Sequence, residues 1–214
     1  MVIYKNLLNK NLLKAAHTLA TKKGVRPHYN GVSIELGADN TLIYIGTDGT
    51  LFGYWWETID EELWDKLYNE TRQFGITYDT LTLALKNANG VDRLSVEWCN
   101  NKVAELVSRP ATFRFAPRKI YIPGWRPLVS IMEDRADSND PNIFNLELMA
   151  KAQKAIGLAE GLPLARAKSI PTQQRYANMN ALIYTSKQQG AVIVAGLNQS
   201  AIELSEPLIV PEEL

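Results

Sequence analysis

The sequence predicts an α+β fold of repeated units, each a helix followed by antiparallel strands, in two domains of which the second is reduced. Three observations carry this. An amphipathic helical segment ending near Lys23 runs into Val25–Trp55, where apolar residues alternate with the period of half-buried strands. The same order, a helix and then about three strands, recurs before residue 120. It returns a third time, in fewer residues, after a proline-bearing connector.

Val2–Tyr4 reads as a short strand. Asn9 or Asn11 caps the helix that follows, which extends to Lys23. Leu12, Leu13, Ala16, Leu19 and Ala20 form its core-facing stripe; Lys10, Lys14, His17 and Thr21 lie opposite, with Lys22 and Lys23 at the end. The helix carries no acidic residue. Its cations fit either a solvated face suited to the C-terminal dipole or a face turned toward a phosphate backbone. Gly24 stops the helix. Tyr29–Leu36 alternates Val32, Ile34 and Leu36 with Asn30, Ser33 and Glu35, and Asp39-Asn40 make a turn. Thr41–Gly46 returns, Thr47-Asp48-Gly49 breaks the strand, and Leu51–Trp56 resumes it. Glu57–Asp65 is an acidic connection, a loop or a helical turn.

Arg72–Tyr78 is the next candidate strand. Asp79 then caps a helix over Thr80–Asn89, with Leu81, Ala84, Leu85 and Ala88 on one face. Arg93–Cys99, Lys102–Ser108 and Thr112–Phe115 read as strands, the first two joined at Asn100-Asn101. The first domain therefore spans 1–120, and 121–214 forms the second. Residues 116–129, with three prolines, make an extended connector, and 133–141 a polar surface loop or linker. Asn145 caps a third helix with the stripe Leu148, Met149, Ala152, Ala155 and Ile156, and with Lys151, Lys154 and Glu147 elsewhere. Residues 157–178 show no regular pattern. Ala181–Thr185, Ala191–Ala195 and Ala201–Leu204 read as strands, and the tail 206–214 as loose chain.

The 214 residues suit one large domain or two smaller ones, and an apolar fraction of 46% is enough to bury a core without cross-links. Lys+Arg and Asp+Glu are 23 each, which argues against coating nucleic acid by bulk charge but leaves room for one basic surface. The single cysteine, Cys99, excludes an intrachain disulfide framework and fits a reducing compartment. The first residues are too polar for a signal peptide, and no apolar run is long enough to span a bilayer. The expected location is the cytoplasm, with no membrane partner.

Enzyme chemistry finds little support. His17 and His28 are too few and too scattered for a metal triad, and no nucleophile-elbow, phosphate-loop or dinucleotide fingerprint occurs. Asp39 and Asp48 read as turn residues before metal ligands. The five tryptophans, Trp55, Trp56, Trp64, Trp98 and Trp125, could stack bases, but packing is the simpler role. No cofactor and no metal are expected.

Several motifs, taken in order, resemble one family. Tyr29-Asn30-Gly31 after a helix, and Thr47-Asp48-Gly49 before a hydrophobic strand, are similar to the middle domain of the bacterial sliding clamp, the beta subunit of DNA polymerase III. YIPGWRPLV resembles the segment that leaves that domain, and IFNLELMAKAQKAIG a helix of the last domain. The chain is shorter than a three-domain clamp and begins near the first motif, so the resemblance is to a phage or prophage version lacking the first domain.

That resemblance implies a DNA-clamp-like fold without enzymatic activity. Its helices would face duplex DNA through Lys10, Lys14, Lys22, Lys23, Arg26, Lys151 and Lys154. It also implies a cleft for a short linear peptide of a DNA polymerase or other replication protein, lined by Thr47, Gly49, Leu51, Phe52, Pro123, Arg126, Leu128 and Val194. Six domains close a clamp ring, so a two-domain chain would trimerise, with a clamp loader as a further partner. The alternative is a clamp-like adaptor or inhibitor that binds replication proteins without encircling DNA.

Overall fold

In a computed structural model of the chain, the described residues are 2–22, 30–100, 103–108, 111–117, 125–126, 146–160, 166–170, 181–186 and 190–195. They form a mixed α+β fold with two antiparallel sheets. The first unit comprises β1 (Val2–Asn9), α1 (Lys10–Leu19), β2 (Gly31–Leu36), β3 (Thr41–Thr47) and β4 (Leu51–Thr58). After α2 (Glu61–Glu70), the second unit comprises β5 (Gln73–Thr77), α3 (Tyr78–Asn87), β6 (Arg93–Asn100), β7 (Val103–Ser108) and β8 (Ala111–Phe115). The third has α4 (Leu146–Glu160), β9 (Arg166–Ile170), β10 (Ala181–Ser186) and β11 (Gly190–Ala195).

The first two units interlock. The four-stranded sheet runs β1-β6-β7-β8, and the seven-stranded sheet runs β5-β2-β3-β4-β11-β10-β9. The first strand of each unit thus crosses to the other unit's sheet: β1 pairs with β6, and β5 with β2. The third unit joins through β11, which pairs antiparallel with β4, Ile193 opposite Phe52 and Val194 opposite Leu51.

Local chemistry explains most boundaries. Asn9 caps α1, its Oδ1 accepting from the amides of Asn11 (2.9 Å) and Leu12 (3.3 Å). Asp39 and Asn40, both at positive φ, give the two-residue turn whose twist matches a hairpin. The expected stripes of α1 and α3 are buried or half-buried as read. Gly46 has a specific reason to be glycine: a Cβ there would sit 1.9 Å from the Ala16 carbonyl oxygen, because α1 lies directly on β3.

Several expectations change. Strand β1 runs on to Asn9 rather than ending at Tyr4. Helix α1 ends at Leu19, with Ala20 as its cap, rather than continuing to Lys23. The acidic connection is β4 running on to Thr58 and then a full helix, α2, capped by Asp60, whose Oδ1 accepts from Leu63 N at 3.2 Å. Only Leu67 is buried on α2, so its apolar signal is faint, while Glu61 and Glu62 favour the N-terminal dipole. Helix α3 starts at Tyr78 with Thr77 as cap, which leaves Asp79 in the first turn. The third unit's remaining strand is β9, inside the stretch that showed no pattern, because pairing with β10 and not an apolar alternation makes RAKSI extended. The expected strand 201–204, the linker 133–141 and the Asn145 cap lie outside the described residues.

One polar clasp ties the sheets together. The Arg93 guanidinium donates to Glu57 Oε2 (2.8 Å) and Oε1 (2.9 Å), and also to the carbonyls of Asn6 (2.6 Å) and Leu7 (2.7 Å) at the irregularity in β1. Tyr44 Oη donates to Glu57 Oε1 and accepts from Asn9 N. Burial, then the adjacent Glu57 carboxylate, push the Tyr44 hydroxyl well above its ordinary value, so it stays a donor. Glu57→Gln removes one charge from this clasp while keeping its shape. The expected loss is about 2 kcal/mol of stability, read as a lower urea midpoint with unchanged slope.

Candidate functional site

The seven-stranded sheet has two unlike faces. Val32, Ile34, Leu42, Tyr44, Leu51, Trp55, Val192 and Val194 share one core with the buried residues of α1 and α4. Helix α1 lies on β2, β3 and β4, and α4 on β4, β10 and β11. The two helices pack against each other, and α3 packs against α1 and the four-stranded sheet. The lysine-bearing helices therefore share one side of the sheet.

On that side the described candidates are differently placed. Lys10 Nζ donates to the Ala88 carbonyl at the end of α3 (3.2 Å). Exposed Lys22 pairs with Asp79 at 3.1 Å. Lys151 Nζ donates to Asp48 Oδ2 at 2.6 Å and is mostly covered, tying α4 to the β3–β4 turn. Lys14 is half-buried and Lys154 exposed, and neither forms an ion pair among the described residues. Lys23 and Arg26 lie outside the described residues. His17 was read as part of the polar face. It is half-buried and stacks on Tyr78, ring centroids 4.1 Å apart, with Nε2 at 3.2 Å from the Tyr78 carbonyl and 3.0 Å from Thr82 Oγ1.

The β3–β4 turn is closed by its own hydrogen bonds. Asp48 Oδ1 accepts from Thr50 N, Thr50 Oγ1 and Leu51 N, and Thr47 Oγ1 donates to the Leu51 carbonyl and accepts from Gly49 N. Gly49, at φ 94°, supplies the left-handed residue. Burial pushes the Asp48 carboxyl up, but the hydrogen bonds from Lys151, Leu51 and Thr50 outweigh it and hold the group below its ordinary value.

The opposite face carries a second apolar cluster: Ile43, Ile45, Phe52, Ala191, Ile193 and Trp125, with Tyr54 and Trp56 beside it. Trp125 arrives from the connector in a short helical turn with Arg126. Its ring lies 5.1 Å from Tyr54 and 5.9 Å from Phe52, centroid to centroid. The expected cleft residues are thus divided. Phe52 and Arg126 each contact Trp125 on this face, Thr47 pairs with Phe52 across the strands, and Gly49 is in the turn. Leu51 and Val194 are opposite each other on the helix side, fully buried. Pro123 and Leu128 lie outside the described residues. Sequence reasoning passed over Glu35, which sits beneath Trp125 and Arg126. In the sequence it reads only as a member, with Asn30 and Ser33, of the polar face of an alternating strand.

Among the described residues, no group of three metal-ligating side chains occurs, and no helix is long and apolar enough to cross a membrane. Trp55 and Trp98 are buried in the core, Trp98 edge-on to Tyr4 and Phe74.

This architecture, interlocked helix-and-strand units with helices on one side and sheet on the other, matches the sliding-clamp fold over most of the chain. The structures it resembles belong to the bacterial DNA polymerase III beta family, which is non-enzymatic. The sliding clamp from Pseudomonas aeruginosa superposes with a TM-score of 0.61 at 11% identity, covering 88% of this chain and 64% of the clamp. The Borrelia burgdorferi beta subunit gives 0.62 at 8% identity, with coverage of 92% and 64%. The Thermotoga maritima beta subunit gives 0.58 at 12%, with coverage of 99% and 67%. The chain spans about two thirds of the length of these clamps, and at such identities the likeness is one of fold. No family pattern and no curated protein matches the sequence.

Two outcomes follow from the helix side. Burial holds the His17 imidazole below its ordinary 6.5, against the upward pull of the Tyr78 carbonyl. The unfolded chain therefore takes the proton first. The stability due to neutral His17 is complete above about pH 6.5 and is lost as pH falls from there through the lower folded value. Urea melts from about pH 7.5 to about pH 5 should show that decline, and His17→Gln should flatten it. Lys151→Met should cost roughly 1 kcal/mol and raise the Asp48 pKa, followed by carboxylate NMR. The Asp48 contribution is present above its unfolded value and lost as pH falls through its depressed folded one, so the variant should differ least from the parent in strong acid.

Proposed function

We propose that this chain is a DNA sliding clamp or polymerase processivity factor homologue. Its two clamp-type domains are 1–120 and 121–214, the second reduced. The observation that carries this reading is the side-by-side packing of α1 and α4 on one face of a continuous sheet. A duplex held by topology needs only loose phosphate contacts, because a tight basic surface would stop sliding and make binding steeply salt-dependent. Lys14 and Lys154 suit such contacts. Lys10, Lys22 and Lys151 would exchange their present partners for phosphate, and Lys23 and Arg26 complete the set.

The proposed cleft for a short peptide of a polymerase or other replication protein takes Phe52, Thr47, Gly49 and Arg126 on the other face, with Pro123 and Leu128 as further proposed members. Leu51 and Val194 pack in the core on the helix side and do not line it. The Helicobacter pylori clamp has been solved with a DNA ligase peptide, and a Pseudomonas aeruginosa clamp with griselimycin. Both serve as probes here. The proposal extends to a phage or prophage version acting in the cytoplasm, closing its ring as a homotrimer with or without a loader.

A second reading is an adaptor or inhibitor that binds replication proteins without encircling DNA. The engagement of Lys10, Lys22 and Lys151 within the chain favours it. Solution mass and retention on circular against linear DNA separate the two. A clamp is expected to be a trimer at micromolar concentration and to stay on circular DNA after leaving linear DNA. A monomer lost equally from both supports the adaptor and ends the clamp reading. Replacing Lys14 and Lys154 with alanine should lower the salt dependence of DNA binding by about one power of salt per side chain.

A further inference from the structure

Glu35 is a buried acid on the sheet face that carries the second apolar cluster, its side chain 8% exposed. A carboxylate in that position costs several kcal/mol unless its lone pairs are occupied. Three donors occupy them. Gln73 Nε2, itself also bound to Ser33 Oγ, donates to Oε1 at 3.1 Å. Trp125 Nε1 donates to Oε2 at 3.3 Å, and the Arg126 guanidinium reaches the same oxygen at 3.1 Å. The guanidinium also lies over the Trp125 ring, 4.4 Å from its centroid, while the Arg126 side chain remains 55% exposed. Glu35 and Trp125 are 90 residues apart in the chain, so this hydrogen bond, with the packing of Trp125 on Phe52 and Tyr54, ties the connector to β2.

We propose that Glu35 is the positioning residue of the peptide cleft. It holds the buried Trp125 ring tilted against Phe52 and Tyr54, by 33° and 40°, as the backing of one wall, and pins one end of the Arg126 guanidinium at the rim. Among the described residues, the donors of that group not committed to Glu35 have no acceptor, and the proposal gives them one on the incoming peptide. The cleft therefore selects a segment with an apolar side chain for the wall and an adjacent carboxylate or chain-end carboxyl for Arg126. Gln73 and Ser33 keep Glu35 itself from turning away.

This inference rests on the cleft reading, and its test separates the two. Fluorine NMR of fluorotryptophan-labelled protein, with the Trp125 signal assigned by Trp125→Phe, reports the position of the turn without any ligand. Glu35→Gln is expected to shift the Trp125 signal and leave the signals of buried Trp55 and Trp98 in place. It should also weaken binding of the labelled DNA ligase peptide about tenfold. Arg126→Gln, which keeps a donor within reach of Glu35 and removes the guanidinium, should weaken binding similarly. The double variant should lose little more than either single one, because the two groups act as one unit. An unmoved Trp125 signal in Glu35→Gln overturns the positioning role whatever the peptide does. A shifted signal with peptide affinity within twofold overturns its role in recognition. If the parent binds neither the peptide nor griselimycin, the cleft reading falls, and with it the recognition role, while the Trp125 shift still decides whether Glu35 places the turn.

Discussion

Backbone pairing between β4 and β11 is the joint on which the rest of the molecule depends. Strand β4 would otherwise end its sheet with a row of unpaired amides and carbonyls, a liability that a chain must cover. Covering it with β11 continues one sheet through seven strands and brings α4 beside α1. Both faces gain identity from that step. Val192 and Val194 extend the core beneath the helices, and Ala191 and Ile193 extend the apolar cluster under Trp125. Lys151 on Asp48 adds a polar tie at the same joint, on a turn already fixed by its own hydrogen bonds.

A second constraint works within the first two units. Because β1 and β5 each cross to the other unit's sheet, neither unit completes its sheet alone. The Arg93–Glu57–Tyr44 clasp sits at that crossing and satisfies two carbonyls of β1 that the irregular register leaves unpaired. Helix α1 can approach β3 closely only because Gly46 has no side chain. The helix layer is thus set from below by the sheet and from the side by its neighbours.

The same organisation separates the two proposed interactions. Cations of α1 and α4 lie on the helix side, whereas Trp125, Arg126 and Glu35 gather on the other. Two partners could be held at once without sharing residues. The chemistry differs accordingly: sparse and screened charge on one side, an aromatic wall with a buried carboxylate on the other.

What the sequence determined by itself was local. The stripes of α1, α3 and α4, the alternation in β2, the Asp39-Asn40 turn and an asparagine cap at Asn9 or Asn11 depend on residues a few positions apart, and the local pattern reports them directly. Helix α2 and strand β9 escaped because one buries a single leucine and the other has no apolar alternation. Tertiary structure alone decided which strand edges meet, that Leu51 and Val194 face the helices while Phe52 faces Trp125, and that Lys151 reaches Asp48. It also brought Glu35 under a tryptophan from the distant connector. Such contacts join segments about a hundred positions apart, and nothing in the neighbourhood of either residue encodes its partner; only the closing of sheet edges and the burial of both faces select it.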